Sequence, residues 1–198
     1  VLALLGQLLA GMLAGRLFPD VLESTWGLYL LSLVPMYLFA VPAYWGILQL
    51  REKTPIVKRS MGFGVFCLCF LMCMPLMYGG NLLGNALSGL LNAVTGTQTV
   101  NQVAELMTAS GLLPTVVFAV VLAPLVEELV FRKLLCDRMR RYGDKVAVLV
   151  SGIVFGLYHG NLYQFFYATA IGIFFAFLYC RTGRVSYTIL LHMLVNFV

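Results

Sequence analysis

The sequence predicts an all-α fold: a polytopic transmembrane helical bundle of about seven spanning segments, folded as a single domain over residues 1–198. Composition is the first reason, since 61% of the residues are hydrophobic, 11% are charged and the mean hydropathy is +0.93. A soluble globule carries about 25% charged residues. The second reason is length: the apolar runs approach the ~20 residues that a spanning helix needs. The short alternating segments of a membrane barrel are missing.

The runs read as spans are Val1 to Leu17, Trp26 to Leu50, Met61 to about Leu91, Leu112 to Leu135, Val146 to Tyr158, Leu162 to Tyr179 and Val185 to Val198. The first lacks a basic n-region and a leading Met, so it reads as the start of a trimmed chain and not as a cleavable leader. The third is too long for one straight span. Between the runs lie Arg51, Lys53, Lys58 and Arg59; then Lys133, Arg138, Arg140, Arg141 and Lys145; and finally Arg181 and Arg184. The net charge of +5 therefore sits in short loops, where it reads as a topology signal and not as a nucleic-acid surface. Loops 51–59, 133–145 and 181–184 are expected to face the cytoplasm. An even number of crossings separates each pair of them, so the orientation is self-consistent. The connections around Asp20 to Glu23, Thr95 to Ala109 and Gly160 to Asn161 are poor in cations, as the opposite face requires.

Small residues let membrane helices approach closely. Gly152, Gly156 and Gly160 recur at four-residue spacing in the fifth run, and Gly80, Gly84 and Ser88 do so in the third. Asn81 and Asn85 follow the same spacing and read as interhelical hydrogen-bonding residues. Thr95 to Gln102 is the nearest thing to a flexible stretch. Cys67, Cys69, Cys73, Cys136 and Cys180 are odd in number and form no CxxC pair, so they are expected to pack as free thiols.

Six of the eight acidic residues fall in or near loops, which leaves Glu127 and Glu128 well inside a span. A charge there costs at least about 2.5 kcal/mol, so such a residue is usually kept for work inside the membrane. Adjacent helical residues point about 100° apart and residues four apart share a face. Glu128 is thus predicted to pair with Arg132, leaving Glu127 as the free carboxylate and candidate general base. Both histidines, His159 and His192, also lie in spans or at their ends. His192 and Asn196 share a face and offer two donors that could stabilise an oxyanion. His159 shares a face with Phe155 at the end of the glycine-spaced run. A purely structural Glu/Arg pair with two packing histidines is the plain alternative.

Glu127-Glu128-Leu129-Val130-Phe131-Arg132 resembles the EExxxR motif of the CAAX-protease and bacteriocin-processing (CPBP, or Abi) family of intramembrane proteases. Phe155 to His159 resembles its FxxxH motif and His192 to Asn196 its HxxxN motif, in the family's order, across a catalytic core of about 112–198. The resemblance implies an endopeptidase cutting within the membrane, with a cavity open towards the cytosol. By that analogy Glu127 and His159 activate the attacking water, while His192 and Asn196 hold the oxyanion. Glu128 and Arg132 support the cavity or bind a substrate carboxylate, and residues 1–110 supply guiding walls. Eukaryotic relatives trim prenylated CAAX tails; bacterial ones are associated with leader peptides, pheromones and bacteriocin immunity. Short loops favour the bacterial type, in a plasma membrane.

No cofactor is expected, and the implied partners are a peptide or protein substrate and the lipid bilayer, with no nucleic acid. The nearest rival is a zinc protease in which Glu127, His159 and His192 ligate the metal, although the HExxH helix motif is absent. GxSG is also absent, and Asp20, Asp137 and Asp144 all lie outside mid-span, against serine and aspartyl chemistry. A transporter would show repeats across two halves. A non-catalytic peptide-binding or immunity scaffold would keep the fold without using the chemical groups. One tension is geometric: His159 lies deeper from the Lys145 loop than Glu127 or His192 does from its own basic loop, so the fifth helix must tilt, start on the membrane surface or stop near mid-membrane.

Overall fold

The computed structural model describes residues 2–18, 20, 24–35, 37–38, 41–50, 52–99, 101, 105, 108 and 111–198. Val1, Glu23, Arg51, Gln102 and Ala109 lie outside the described residues. Among the described residues the helices are, in order, α1 (Leu2–Leu17), α2 (Thr25–Pro35), α3 (Val41–Gln49), α4 (Phe63–Thr95), α5 (Leu112–Tyr142), α6 (Asp144–Tyr158), α7 (Leu162–Thr182) and α8 (Val185–Phe197). There is no strand among the described residues. Among those residues α4, α5 and α7 are long and apolar enough to cross a membrane, and the chain is an integral membrane protein.

The second run is helical as α2 and α3, and residues 36, 39 and 40 between them lie outside the described residues. The third is one helix of 33 residues with Pro75 inside it. The fourth does not stop at Leu135 but continues to Tyr142. The cations assigned to a loop there, Lys133, Arg138, Arg140 and Arg141, are helical instead, and the physical reason is pairing. Lys133 reaches Asp137 at 3.1 Å, Arg138 donates to the Leu134 carbonyl and to Gln49, and Arg140 pairs with Asp144 at 2.9 Å. Cations near a helix C-terminus are also favoured by the helix dipole.

Two stretches of α5, Thr115–Leu122 and Leu129–Cys136, are π-helical and flank the α-helical turn that carries Glu127 and Glu128. Pro124 explains part of this, because it has no N–H to donate. The Ala123 N–H bonds to the Phe118 carbonyl, five residues back.

The basic segments converge at one end of the bundle. The Thr54 N–H donates to the Asp137 carbonyl (2.8 Å), Arg140 donates to the Pro55 carbonyl (3.0 Å), and the Arg59 N–H donates to the Thr182 carbonyl (2.7 Å). At the other end the Tyr163 hydroxyl donates to the Thr99 carbonyl at 2.7 Å.

The α6–α7 pair is the closest packed part of the molecule. A Cβ on Gly156 would collide with Thr169 and sit 2.8 Å from the Phe165 carbonyl, and one on Gly172 would lie 3.1 Å from Gly152 Cα. Gly84 meets the Leu162 carbonyl in the same way, which brings α4 against α7. The α6–α7 turn needs Gly160 at φ +68°, and Asn161 caps α7 by accepting from the Gln164 N–H. Around this frame, Phe131, Leu135, Phe155 and Ala168 form one core cluster, and Cys69, Cys73, Ile171, Phe175 and Leu191 belong to another. All five cysteines are free.

Candidate active site

Glu128 and Arg132 are both completely buried, and Glu128 Oε2 lies 2.9 Å from Arg132 Nε. A buried pair survives only when its remaining valences are met. Here Arg132 Nη1 donates to Ser151 on α6 at 3.3 Å, and the guanidinium lies 4.9 Å from the centre of the Phe155 ring. Ser151 in turn donates to the Phe131 carbonyl at 3.0 Å. The other carboxylate oxygen, Glu128 Oε1, stands 3.0 Å from His192 Nδ1. A carboxylate paired with arginine accepts, so the imidazole donates from Nδ1 and its Nε2 is turned outward. That nitrogen lies 3.8 Å from Glu127 Oε2.

The chain Arg132, Glu128, His192 therefore fixes one imidazole beside Glu127. Glu127 itself lines an apolar cavity of about 410 Å³ bounded by Tyr37, Val41 and Tyr44 from the N-terminal region and by Phe131, Val154 and Leu157 from α5 and α6.

His159 sits differently. Its Nδ1 is 2.8 Å from the Phe155 carbonyl, which can only accept, so Nδ1 carries the proton and Nε2 is left as the lone pair of the neutral ring. Its ring packs edge-on against Phe155, with centroids 4.9 Å apart, and Phe155 packs edge-on against His192 at 5.7 Å. Phe155 thus separates the two imidazoles and orients both. Glu127 pairs with His192, and no hydrogen bond or ion pair joins it to His159. Helix α6, which delivers His159, has only 15 residues, or about 22 Å at 1.5 Å per residue. That falls short of a bilayer core of about 30 Å.

Asn196 donates from Nδ2 to the Ala119 carbonyl at 2.9 Å. The donor that a π-turn would give this carbonyl is residue 124, which is proline, and the Ala123 N–H is already committed to Phe118. Asn196 therefore satisfies the carbonyl that Pro124 leaves open and docks α8 on α5. One amide hydrogen remains for other use.

Among the described residues no three His, Cys, Asp or Glu side chains are grouped to hold a metal ion. His192 Nε2 lies 3.8 Å from Glu127 Oε2, and His159 is held through Nδ1 to the Phe155 carbonyl of its own helix.

Sequence reasoning missed Ser151, although it sits one residue before the glycine that brings α6 and α7 together. It also missed Tyr37 and Tyr44, which no spacing connects with Glu127.

Residues 109–198 match the family model for Type II CAAX prenyl endopeptidase Rce1-like proteins. The chain is also 33% identical over 82 residues to a protein of Bacillus subtilis (strain 168) named "Putative membrane peptidase YdiL". That match covers 41% of this chain and 34% of the relative, so the chain spans about a third of the relative it matches. No solved structure matches. The matched segment carries the three motifs in order on α5, α6 and α8, and over that segment the chain is similar to Type II CAAX prenyl endopeptidase Rce1-like proteins.

Proposed function

We propose that this chain is an intramembrane endopeptidase that hydrolyses a peptide bond in a membrane-associated peptide or protein, without a metal. The observation that carries the reading is the placement of Glu127 at an apolar cavity, with His192 Nε2 held 3.8 Å away by the buried Glu128–Arg132 pair. A water bound there loses a proton to the Glu127 carboxylate and attacks the scissile carbonyl carbon. His159 Nε2, the free lone pair of its ring, is the second acceptor for that water. As negative charge grows on the carbonyl oxygen, His192, with Glu128 facing its Nδ1–H, holds it. Asn196 contributes its remaining amide hydrogen. Preorganised donors of this kind are worth about 10²–10³ in rate each. The proton on Glu127 then passes to the leaving amine.

The substrate segment must be unwound, because helical carbonyls are already hydrogen-bonded. It enters from the membrane or from the cytosolic side. The convergence of the basic segments at one end supports a cytoplasmic position for that end, and the Bacillus relative supports a bacterial plasma membrane.

Purified protein in liposomes, given a quenched fluorogenic peptide rich in leucine, is expected to cleave it with and without a chelator. Glu127→Gln and His159→Ala are expected to lower the rate by about 10²–10⁴, the usual worth of a positioned acid or base. Undiminished cleavage by both variants would remove the assigned water site. Loss of wild-type cleavage with chelator alone would restore the zinc assignment, and tight binding with no cleavage would make the chain a peptide-binding scaffold.

A further inference from the structure

We propose that Lys58, Arg59, Arg181 and Arg184 form a binding site for the headgroup of an anionic phospholipid, at the junction where α4 begins and α7 passes into α8. The inference is independent of the peptidase reading and concerns cations that the hydrolytic mechanism does not use.

The backbone brings these four cations together from two distant segments. Residues 57–59 run beside residues 182–183: the Arg59 N–H donates to the Thr182 carbonyl at 2.7 Å, and a Cβ on Gly183 would stand 2.6 Å from the Val57 carbonyl. Gly183 also has φ +64°, so only glycine suits both the turn and the close approach. Two residues further on, the Met61 N–H donates to the Tyr187 hydroxyl at 2.9 Å and carries the seam onto α8. All four cationic residues are exposed, and none makes an ion pair among the described residues.

Other cations of the chain are matched internally. Arg132, Lys133 and Arg140 pair with Glu128, Asp137 and Asp144, and Arg138 is buried against the Leu134 carbonyl and Gln49. Those pairs commit Asp137 and Asp144, while Glu52 lies beyond Thr54, whose N–H is held by the Asp137 carbonyl. The fold thus gathers four like charges without a counter-charge of its own, and such a group repels itself unless an anion joins it.

The surroundings select the anion. Helices α4 and α7 are both long and apolar enough to cross a membrane, and Phe63 and Thr182 are the first residue of one and the last of the other. The patch therefore stands at a boundary between water and hydrocarbon. On either side of Lys58 and Arg59, Val57 and Phe63 are 71% and 82% exposed. A phospholipid meets both conditions, since its phosphate answers the charge and its acyl chains cover the apolar side chains. Free phosphate meets only the first.

The test titrates the full chain, in micelles of an uncharged detergent, with phosphatidylglycerol carrying a fluorescent acyl chain, and reads binding by anisotropy. Lys58→Gln with Arg59→Gln, and separately Arg181→Gln with Arg184→Gln, are each expected to weaken binding about twentyfold, or about fivefold for each cation. Arg181→Lys with Arg184→Lys keeps the charge and is expected to stay within about threefold of wild type. Arg141→Gln with Lys145→Gln removes as much charge from exposed residues of the α5–α6 turn, outside the patch, and is expected to change affinity by less than about threefold because of screening. Without lipid, the unfolding temperature of the Gln variants is expected to be unchanged or higher, because repulsion is relieved.

Three results would each overturn the site: no preference for phosphatidylglycerol over equally labelled phosphatidylcholine, an equal loss from the α5–α6 variants, or a lower unfolding temperature in the lipid-free Gln variants, which would reveal a counter-charge within the chain. Displacement of the lipid by an equal concentration of glycerol phosphate would reassign the patch to free phosphate, and displacement by octaglutamate would reassign it to an acidic protein segment. Either reassignment also ends the proposal.

Discussion

Two neighbouring carboxylates on one helix live in opposite surroundings. Glu128 faces a sealed region between α5, α6 and α8, where Arg132 and His192 take up its charge, Ser151 accepts from Arg132, and Phe155 and Phe175 close over the guanidinium. Glu127, one residue earlier and about 100° around the helix, faces an apolar cavity of about 410 Å³. The sealed side is held by a buried ion pair, and the open side borders a cavity. Only the first can be strong without a ligand, and only the second can accept one.

The largest expected effect tests that division directly. Arg132→Ala leaves Glu128 buried beside a single imidazole, so it should cost about 3–5 kcal/mol of stability, whereas Glu127→Gln should stay within about 1 kcal/mol of wild type. Unfolding in mixed detergent micelles measures both, and equal losses would mean that the two carboxylates are not differently held. Next, Gly156→Ala forces a Cβ into Thr169 and towards the Phe165 carbonyl, and overpacking of this kind costs about 1–3 kcal/mol. Gly89→Ala on α4 meets open space and should be neutral or stabilising by up to about 1 kcal/mol. A similar penalty at both positions would refute close packing as the support of the sealed side. Smallest, Ser151→Ala removes the hydroxyl between Arg132 and the Phe131 carbonyl and should cost about 1–2 kcal/mol. It should lower peptide cleavage less than Glu127→Gln does, because Ser151 touches only the supporting pair.

The helical content and the order of the elements were legible because apolar length and cation placement are properties of the chain itself. Where the reading stopped short, a contact made elsewhere was responsible. Leu135 looked like a helix end because basic residues follow it, yet Asp137 is held by Lys133 and by the Tyr179 hydroxyl at 2.6 Å, and the helix continues. At the site, four-residue spacing predicts that Glu128 can reach Arg132, since both lie on one helix face. It is silent on His192, 64 residues away, which meets Glu128 only because α8 docks on α5. Likewise Asn196 looked free to serve an oxyanion, whereas the Ala119 carbonyl left open beside Pro124 takes one of its hydrogens.

By itself, then, the sequence determined a helical membrane protein, the end at which its cations gather and the residues with chemistry to offer, because hydrophobic length, charge and helical period are local quantities. Tertiary structure alone decided which imidazole faces Glu127, that His159 is tied to its own helix, and that tyrosines from the N-terminal region wall the cavity. Those outcomes depend on distances between helices far apart in the chain, set by where glycines permit approach and where buried polar groups must find partners.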